Sequence, residues 1–397
     1  MECRHLASTE RQDLEANMTD DRITRRAALA GGGALAAGAV LAGVATAPAS
    51  AASRFASPAF PGMVLDQLVG QLVVYSYPGL TPPASLLRLI RAGRVGGIIF
   101  FGENITSTTQ IAGVVAQLRH AHAQSRVRSP LLLMTDQEGG VVRRLKDQEP
   151  FLTAKEIGQQ PDAKAAATAA GVGAAAGLKA AGMNLNLAPV VDVYREEGNF
   201  DDQFGRSFSS DPTVAGDLGM RFATAQQAAG IAATAKHFPG LGAAPAGANT
   251  DLTAVTLSQS LKELRTVDEA AFVPSIRAGI DLVMASWAIY PALDAKRPAG
   301  LSRRVIKDEL RGRLGFRGVT ITDALEAGSL DAFGSDAEVA VLAAKAGMDV
   351  LLCSSRDVAQ GDAVAAALKD ALLHRRLDAR AFLEALLRVR RLRSRLD

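Results

Sequence analysis

Acidic and basic side chains follow several short apolar runs of this 397-residue chain, where they could act on one substrate. Asp323 follows the run Val319–Thr322. A carboxylate at such a position can attack the anomeric carbon of a sugar, as in retaining glycosidases. The alternative is structural, because an aspartate after a strand can also cap the helix that follows. Spacing alone leaves both roles of Asp323 open.

A second group begins at Asp136, which opens the segment Asp136–Gly140 and is followed by Arg143 and Arg144. A carboxylate can accept hydrogen bonds from two sugar hydroxyls, and an arginine can donate to others. The two glycines would let the backbone approach a ligand closely. The group could therefore bind a sugar, or it could form a salt bridge within the loop, with Glu138 as the structural partner.

A third group is Lys236–Gly240, at the end of another apolar run. Neighbouring strand residues face opposite sides of a sheet. Lys236 and His237 can therefore contact one ligand only if the strand end is bulged or turned. In a regular strand, one of them would be catalytic and the other structural.

Three further residues complete the set of candidates. Arg206, in the segment Gly205–Phe208, could donate to the ligand, and Asp192 could anchor the loop. Trp287 is the only tryptophan of the chain and could form a stacking floor for a sugar ring. Packing in the core is the open alternative for Trp287.

The elements that position these residues are short apolar runs separated by helical stretches. Most of the runs are apolar continuously rather than in alternation, which is typical of strands buried on both faces. We predict eight strands, at Leu68–Tyr75, Val95–Phe101, Pro130–Asp136, Met183–Val190, Ile231–Phe238, Leu282–Trp287, Val319–Asp323 and Asp349–Cys353. Between them, helical spacing marks the segments 162–181, 211–229 and 257–278, and Asp211-Pro212 and Ser335-Asp336 are typical helix starts.

Eight such units in about 300 residues predict an α/β protein, a single-domain (β/α)8 TIM barrel. A doubly wound open sheet is the structural alternative. In a barrel, the active site lies at the carboxyl ends of the strands. The polar residues at five strand exits would then form one site, and these exits carry Asp136, Asp192, Lys236-His237, Ser286-Trp287 and Asp323.

Composition excludes several other classes of protein. The chain is 48% hydrophobic and 21% charged, with a formal net charge of +3. It is therefore neither a disordered nor a collagen-like protein, and no basic excess favours nucleic-acid binding. Its two cysteines cannot build a disulfide framework. Motifs of zinc proteases and serine hydrolases are missing from the sequence.

The first 51 residues have the pattern of an export signal. Arg25 and Arg26 precede a run rich in alanine and glycine, and the run ends near Ala49-Ser50-Ala51. We predict a twin-arginine-type signal peptide over 1–51, a lead-in segment over 52–61 and the barrel domain over 62–397. An uncleaved membrane anchor is the alternative. We expect a monomeric protein that is secreted or associated with the cell wall, with no stable membrane anchor after cleavage and a carbohydrate as its partner.

Together these motifs resemble glycoside hydrolase family 3 over roughly residues 62–395, and within it the single-domain bacterial β-N-acetylglucosaminidases. The motifs that carry the resemblance are Asp136–Gly140 with Arg144, Leu187–Val193, Arg206–Phe208 before Asp211-Pro212, Lys236–Gly240, and Gly318–Leu325. The resemblance implies a barrel with a metal-free site and no cofactor. It also implies that the substrates are terminal β-linked N-acetylglucosamine residues of cell-wall or chitin fragments.

The resemblance also implies a role for each matching residue. Asp323 is similar to the family's nucleophile, which forms a covalent glycosyl-enzyme. The donor sugar would be bound by a set of five residues, namely Asp136, Arg144, Arg206, Lys236 and His237.

The sequence departs from the family pattern at the proton donor. The usual Asp-Ser-His loop reads Ala248–Thr253, where Asp251 is the nearest acidic match. The family's Gly-His-Gly is Gly240-Leu241-Gly242, its Ala-His is Ser286-Trp287, and the arginine often found after Gly-Gly is Val141. We expect Asp251 to supply the proton. The alternatives are a phosphorolytic or transglycosylating relative, and a sugar-binding protein that has lost its chemistry.

Overall fold

The computed structural model describes residues 60–396. The predicted signal peptide, and the predicted lead-in up to residue 59, lie outside the described residues. No helix within the described part of the chain is long and apolar enough to cross a membrane.

Eight parallel strands build the centre of the fold. They are β1 (Val73–Tyr75), β2 (Gly97–Ile99), β3 (Leu132–Thr135), β4 (Leu185–Asn186), β5 (Ala232–Phe238), β6 (Leu282–Ala285), β7 (Val319–Thr322) and β8 (Leu351–Leu352). Each strand pairs with the next one along the chain, and β8 pairs with β1. A parallel bridge between Ile321 and Val350 joins β7 to β8. The sheet is therefore a closed (β/α)8 barrel, which confirms the predicted fold and excludes the open sheet.

Helices follow the strands and cover the barrel from outside. The α-helical segments are Leu65–Gly70, Ala84–Arg91, Thr108–Ala123, Ala154–Gly158, Ala163–Ala180, Pro212–Ala228, Leu261–Glu263, Glu269–Arg277, Asp336–Ala346, Val358–Leu373 and Ala379–Arg393. Two segments are π-helical, Leu264–Asp268 and Arg304–Arg313. Four short segments are 3₁₀ helices, Gly102–Asn104, Asp202–Phe204, Ala299–Leu301 and Gly328–Phe333.

Sequence patterns located the strands well because every residue of the eight barrel strands is buried. The first predicted strand, Leu68–Tyr75, was too long at its start. Leu68–Gly70 belong to the helix Leu65–Gly70, where Leu65, Leu68 and Val69 follow helical spacing. Both predicted helix starts are confirmed: the Asp211 carboxylate accepts from the Thr213 N–H at 2.7 Å, and Ser335 forms a capping box with Glu338.

Two antiparallel hairpins extend the carboxyl end of the barrel. The first pairs Gln137–Gly139 with Val142–Arg143, directly after β3. The second pairs Ile289–Tyr290 with Asp294–Pro298, after β6. The first hairpin carries the predicted Asp136 motif to the barrel mouth.

Candidate active site

The predicted site residues gather at the carboxyl end of the barrel. Asp136 follows β3, Lys236 and His237 lie near the carboxyl end of β5, and Asp323 follows β7. Arg206 comes from the long segment after β4. Closure of the barrel thus brings together residues that are up to 187 positions apart in sequence (323 − 136).

Lys236 and Arg206 are linked through Glu138. The Lys236 Nζ lies 2.7 Å from Asp136 Oδ1 and 2.7 Å from Glu138 Oε1. The Arg206 guanidinium donates twice to the Glu138 carboxylate, from Nε at 2.8 Å and from Nη2 at 2.9 Å. Glu138 therefore forms salt bridges with residues of other segments, rather than the salt bridge within the loop that was the structural alternative, and it fixes two donors at the mouth of the barrel.

Opposite charges decide the protonation of this cluster. Burial disfavours the charged form of Glu138, but Arg206 and Lys236 hold the pKa of its carboxyl well below the usual range. Burial likewise disfavours the charged form of Lys236, yet Asp136 and Glu138 raise the pKa of its ammonium group. Lys236 and Arg206 therefore stay cationic, and both can donate hydrogen bonds to substrate hydroxyls.

His237 is held by Asp192 and contacts Arg206. The His237 Nδ1 lies 2.7 Å from Asp192 Oδ2, and its Nε2 lies 3.4 Å from Arg206 Nη2. Asp192 also accepts from the backbone N–H of His237 and, at 2.7 Å, from that of Leu241. Burial lowers the pKa of His237, whereas the charge of Asp192 raises it, and the net shift is upward. Asp192 therefore anchors the loop after β5 and orients the imidazole.

The end of β5 has the irregularity that contact of both Lys236 and His237 with one ligand would require. Its pairing with β6 shifts register between Ala235 and Phe238, and the Lys236–His237 peptide bond is cis. Lys236 reaches Glu138, and His237 reaches Arg206, the partner of Glu138. Both side chains therefore serve the same cluster, as the bulged strand end allows.

Asp192, Asp201 and His237 offer ligand atoms within 4.8 Å of one another, a spacing that a small cation could use. Arg206 already supplies a cation here, because its Nη1 lies 2.6 Å from Asp201 Oδ1. Its Nη2 faces the His237 Nε2 at 3.4 Å. Of the two carboxylates, Asp201 is thus paired with an arginine of the chain, and Asp192 is paired with His237.

Asp323 does not cap a helix. Its Oδ1 accepts from the backbone N–H of Ala324 at 2.8 Å, and the next helical segment begins only at Gly328. The N-cap of that segment is Ala327, which makes no side-chain cap. The structural alternative for Asp323 is therefore wrong, and its partly buried carboxylate stands at the strand end as a nucleophile would.

Asp251 reaches the same place from the loop after β5. The Asn249 Oδ1 accepts from the Asp251 N–H at 2.9 Å, and the Asp251 carbonyl accepts from the Gly328 N–H at 2.8 Å. Burial first, and then the charges of Asp323 and Glu326, raise the pKa of Asp251 to about 7. A carboxyl group in this state carries a proton beside the candidate nucleophile at mildly acidic pH.

The two remaining candidates differ in their surroundings. The Arg144 N–H donates to the Asp136 carbonyl at 3.2 Å, and its side-chain Nε is buried without a hydrogen-bond partner. Trp287 is only 1% exposed, and its Nε1 donates to the Ala324 carbonyl at 2.8 Å. A sugar cannot stack on an enclosed ring, so the structure favours the packing alternative for Trp287, which braces the backbone next to Asp323.

Sequence reasoning did not single out two acidic residues of the site, Asp201 and Glu326. Asp201 binds Arg206 from five positions earlier in the chain. Glu326 lies three positions after Asp323, on the loop that faces Asp251. Their position near recognised motifs was the available signal, but acidic residues in loops are usually solvated and the sequence did not distinguish them.

Comparison with known proteins identifies the family of this chain. Residues 64–392 match the N terminal domain of glycosyl hydrolase family 3. An uncharacterized secreted glycosyl hydrolase of Arthroderma benhamiae is 49% identical over 87% of this chain and 98% of its own. A β-hexosaminidase of Pseudomonas aeruginosa is 35% identical over 69% of this chain and 79% of its own.

Two solved structures are similar to this chain in fold and in sequence. A family 3 β-N-acetylglucosaminidase from Paenibacillus superposes with a TM-score of 0.78 at 33% identity, over 84% of this chain and 62% of the other. This chain therefore spans less than two thirds of that relative. A β-N-acetylhexosaminidase from Beutenbergia cavernae gives a TM-score of 0.75 at 32% identity, over 84% and 99% of the two chains.

The barrel and its carboxylate site define a glycoside hydrolase. The chain belongs to glycosyl hydrolase family 3, which confirms the resemblance noted in its motifs.

Proposed function

We propose that the protein is a retaining β-N-acetylhexosaminidase, which removes terminal β-linked N-acetylglucosamine from cell-wall or chitin-type oligosaccharides. The observation that carries the proposal is the pairing of Asp323 with Asp251, a carboxylate at a strand end beside a carboxyl group whose pKa is raised to about 7. A retaining glycosidase needs one ionised and one protonated carboxyl group. The names of the β-hexosaminidase relatives support the choice of sugar.

The reaction would proceed in two steps. Asp323 attacks the anomeric carbon while Asp251 gives its proton to the glycosidic oxygen, so that the bond to the leaving group breaks and a glycosyl-enzyme forms. Asp251, now ionised, takes a proton from a water molecule while the oxygen of that water attacks the same carbon and releases Asp323.

The cationic cluster would hold the donor sugar during both steps. Lys236 and Arg206 are fixed by Glu138 and direct their remaining N–H groups to sugar hydroxyls, while Asp136 accepts from others. His237 acts through Arg206, which it contacts at 3.4 Å. Arg144, directly after the hairpin, would contribute its guanidinium, whose buried Nε has no hydrogen-bond partner in the chain. Fixed partners keep the sugar aligned with Asp323.

Water rather than phosphate is the acceptor that this site favours. In the second step Asp323 is bound to the sugar as an uncharged ester, and Asp251 is ionised. An anionic acceptor would be repelled by the ionised Asp251, whereas neutral water would not. The phosphorolytic alternative is therefore less compatible with the site.

The first experiment measures nitrophenol release from 4-nitrophenyl N-acetyl-β-glucosaminide by residues 52–397, with the Asp323→Asn variant beside it. The proposal expects turnover that the variant loses, and slower turnover of the corresponding β-glucoside. Bound N-acetylglucosamine without turnover in the parent protein would instead identify a sugar-binding protein that has lost its chemistry. Faster turnover of the β-glucoside would refute the proposed N-acetyl specificity.

Export belongs to the same proposal. We propose that residues 1–51 direct the protein through the twin-arginine route to the cell exterior or the cell wall. The name of the secreted relative from Arthroderma supports an extracellular location. Replacement of Arg25 and Arg26 by lysine should stop secretion in a twin-arginine-competent host, and an N-terminus near residue 52 should be found on the exported protein. An exported protein that retains Met1 would contradict cleavage.

A further inference from the structure

A cavity of about 260 Å³ lies at the amino end of the barrel, opposite the candidate active site. It is bounded by four helical segments, Arg304–Arg313, Asp336–Ala346, Val358–Leu373 and Ala379–Arg393, and by the residues just before β1 and β8. Protein interiors contain few voids larger than a water molecule. This space, which we call the basal cavity, is therefore a candidate binding site.

Much of the wall of the basal cavity is apolar. Leu72, Leu368, Leu377 and Phe382 are buried side chains that line it. An apolar cavity of about 150 Å³ can bind benzene, so a cavity of about 260 Å³ has room for a ligand of about ten non-hydrogen atoms. The wall would therefore receive the short apolar body of a small molecule.

The charged part of the lining has an excess of basic groups. The Asp349 carboxylate accepts from Arg311 Nη2 at 2.7 Å and from Arg388 Nη2 at 2.8 Å, so two guanidinium groups share one carboxylate. Glu384, the other acidic residue of the lining, is half-exposed and accepts from Arg380 Nε at 3.1 Å. One guanidinium charge at the cavity is therefore not matched by a carboxylate.

Lys307 adds a second unmatched positive charge to the same lining. Its side chain lies over Gly347, where an added Cβ would be 3.0 Å from the Lys307 Cε. Among residues 60–396, the Lys307 ammonium group has no ion pair or hydrogen bond, and Arg388 uses only Nε and Nη2, both on Asp349. Lys307 Nζ and Arg388 Nη1 are therefore free to donate to a ligand.

We propose that the basal cavity binds a small amphipathic anion, a carboxylate with a short alkyl or aryl body. The apolar wall would hold the body, and Lys307 and Arg388 would bind the carboxylate. A purely structural role accounts for one arginine, because Asp349 also accepts from the Thr320 N–H at 3.1 Å and so links the segment before β8 to β7. It does not account for the second guanidinium, for Lys307 or for the space beside them.

The test compares three probes that share one alkyl chain and differ in the charge of the head group, namely octanoate, octanol and octylamine. Isothermal titration calorimetry of the purified protein should show that octanoate binds at least about tenfold more tightly than either of the others, because only octanoate accepts charge-assisted hydrogen bonds from Lys307 and Arg388. Equal affinity for the three probes would overturn the proposed selectivity for an anion.

Two variants test the location of the site. Lys307→Met keeps the apolar stem of the side chain and removes its charge, so it should weaken the binding of octanoate about tenfold. Lys345→Met is the matched control, because Lys345 is an exposed lysine of the neighbouring helix Asp336–Ala346 and does not line the cavity. Ala381→Leu, which fills part of the cavity and changes no charge, should also weaken the binding of octanoate.

The outcomes that overturn the proposal are distinct. Equal affinity of the Lys307→Met and Lys345→Met proteins for octanoate would exclude the basal cavity as the site. Competitive inhibition of nitrophenyl glycoside turnover, at the concentration at which octanoate binds, would place octanoate in the active site instead. If Lys307→Met unfolds at a lower temperature than the parent protein, Ala381→Leu decides, and unchanged binding in that variant would overturn the proposal.

Discussion

Replacement of Asp251 by asparagine is the most direct test of the mechanism. Asparagine has nearly the shape of aspartate but has no proton to give. General acid assistance is typically worth about 10²–10⁴-fold. On the disaccharide N,N′-diacetylchitobiose, whose leaving group needs a proton, the variant should therefore lose activity in that range. A nitrophenolate leaves without a proton. Transfer of the sugar from the nitrophenyl substrate to Asp323 should therefore be much less affected by the Asp251→Asn substitution.

The structure also gives the pH range in which Asp251 is useful. With a pKa of about 7, Asp251 is protonated in about nine molecules of ten at pH 6 and in about one of ten at pH 8. The parent kcat/KM for the disaccharide should therefore fall about tenfold over this interval. The Asp251→Asn variant should show no such alkaline limb.

The assay compares kcat/KM for N,N′-diacetylchitobiose and for the nitrophenyl glycoside between pH 5 and pH 9. Asp308→Asn is the control, because it changes an exposed aspartate on the helical segment Arg304–Arg313. An alkaline limb that persists in Asp251→Asn would refute the assignment of the acid, and so would equal losses on both substrates.

The remaining predictions concern the cluster, the folded state and the acceptor. Glu138→Gln should lower the free energy of unfolding by about 3–5 kcal/mol, because it leaves the buried Lys236 and Arg206 poorly paired. Urea unfolding would measure this loss, and an unchanged unfolding midpoint would contradict it. Between about pH 4 and about pH 7, folded Asp251 holds a proton that the unfolded chain has released. The free energy of unfolding should therefore fall as pH rises through this range, by up to about 1.4 kcal/mol per pH unit. Thermal unfolding of Asp251→Asn should lack this pH dependence. Arg393→Met should destabilise the protein by about 2–5 kcal/mol, because three acceptors lose the donors of this buried guanidinium. The kcat should stay within about twofold of the parent value. A large loss of kcat in the folded variant would contradict a purely structural role. Added phosphate should yield no sugar-1-phosphate, which chromatography of the products would detect if the acceptor were misassigned.

Much of the fold followed from local patterns. Residues of the barrel strands are buried on both faces, so β1, β2 and β6 appear as uninterrupted runs without polar side chains, and capping residues such as Asp211 and Ser335 marked the helix starts. The boundary before β1 was missed because Leu68–Gly70, at the end of the helix, and the strand Val73–Tyr75 form a largely apolar stretch that only Gln71 interrupts. Composition does not separate a buried helix end from a buried strand.

The chemistry of the site was only partly determined by the sequence. The residue types of the Asp136, Lys236 and Asp323 motifs allowed a sugar-binding or sugar-cleaving site, and it was the resemblance of these motifs to glycoside hydrolase family 3 that made sugar cleavage the expectation. Whether Lys236 and His237 could serve one ligand depended on the register shift at the end of β5. Hydrogen bonding with the neighbouring strand β6 sets that register, and the local sequence does not specify it.

Tertiary structure alone decided which groups are paired, buried or protonated. Lys236 meets Asp136 across 100 positions of the chain, and enclosure of the Trp287 ring depends on packing from other segments. The raised pKa of Asp251 arises because its loop is docked beside Asp323 and Glu326. The sequence by itself determined the strands, the helix starts and the residue types of the site, since these depend on local preference and hydrophobic pattern. Charge state and orientation depend on distances between remote segments, and those distances exist only once the barrel has closed.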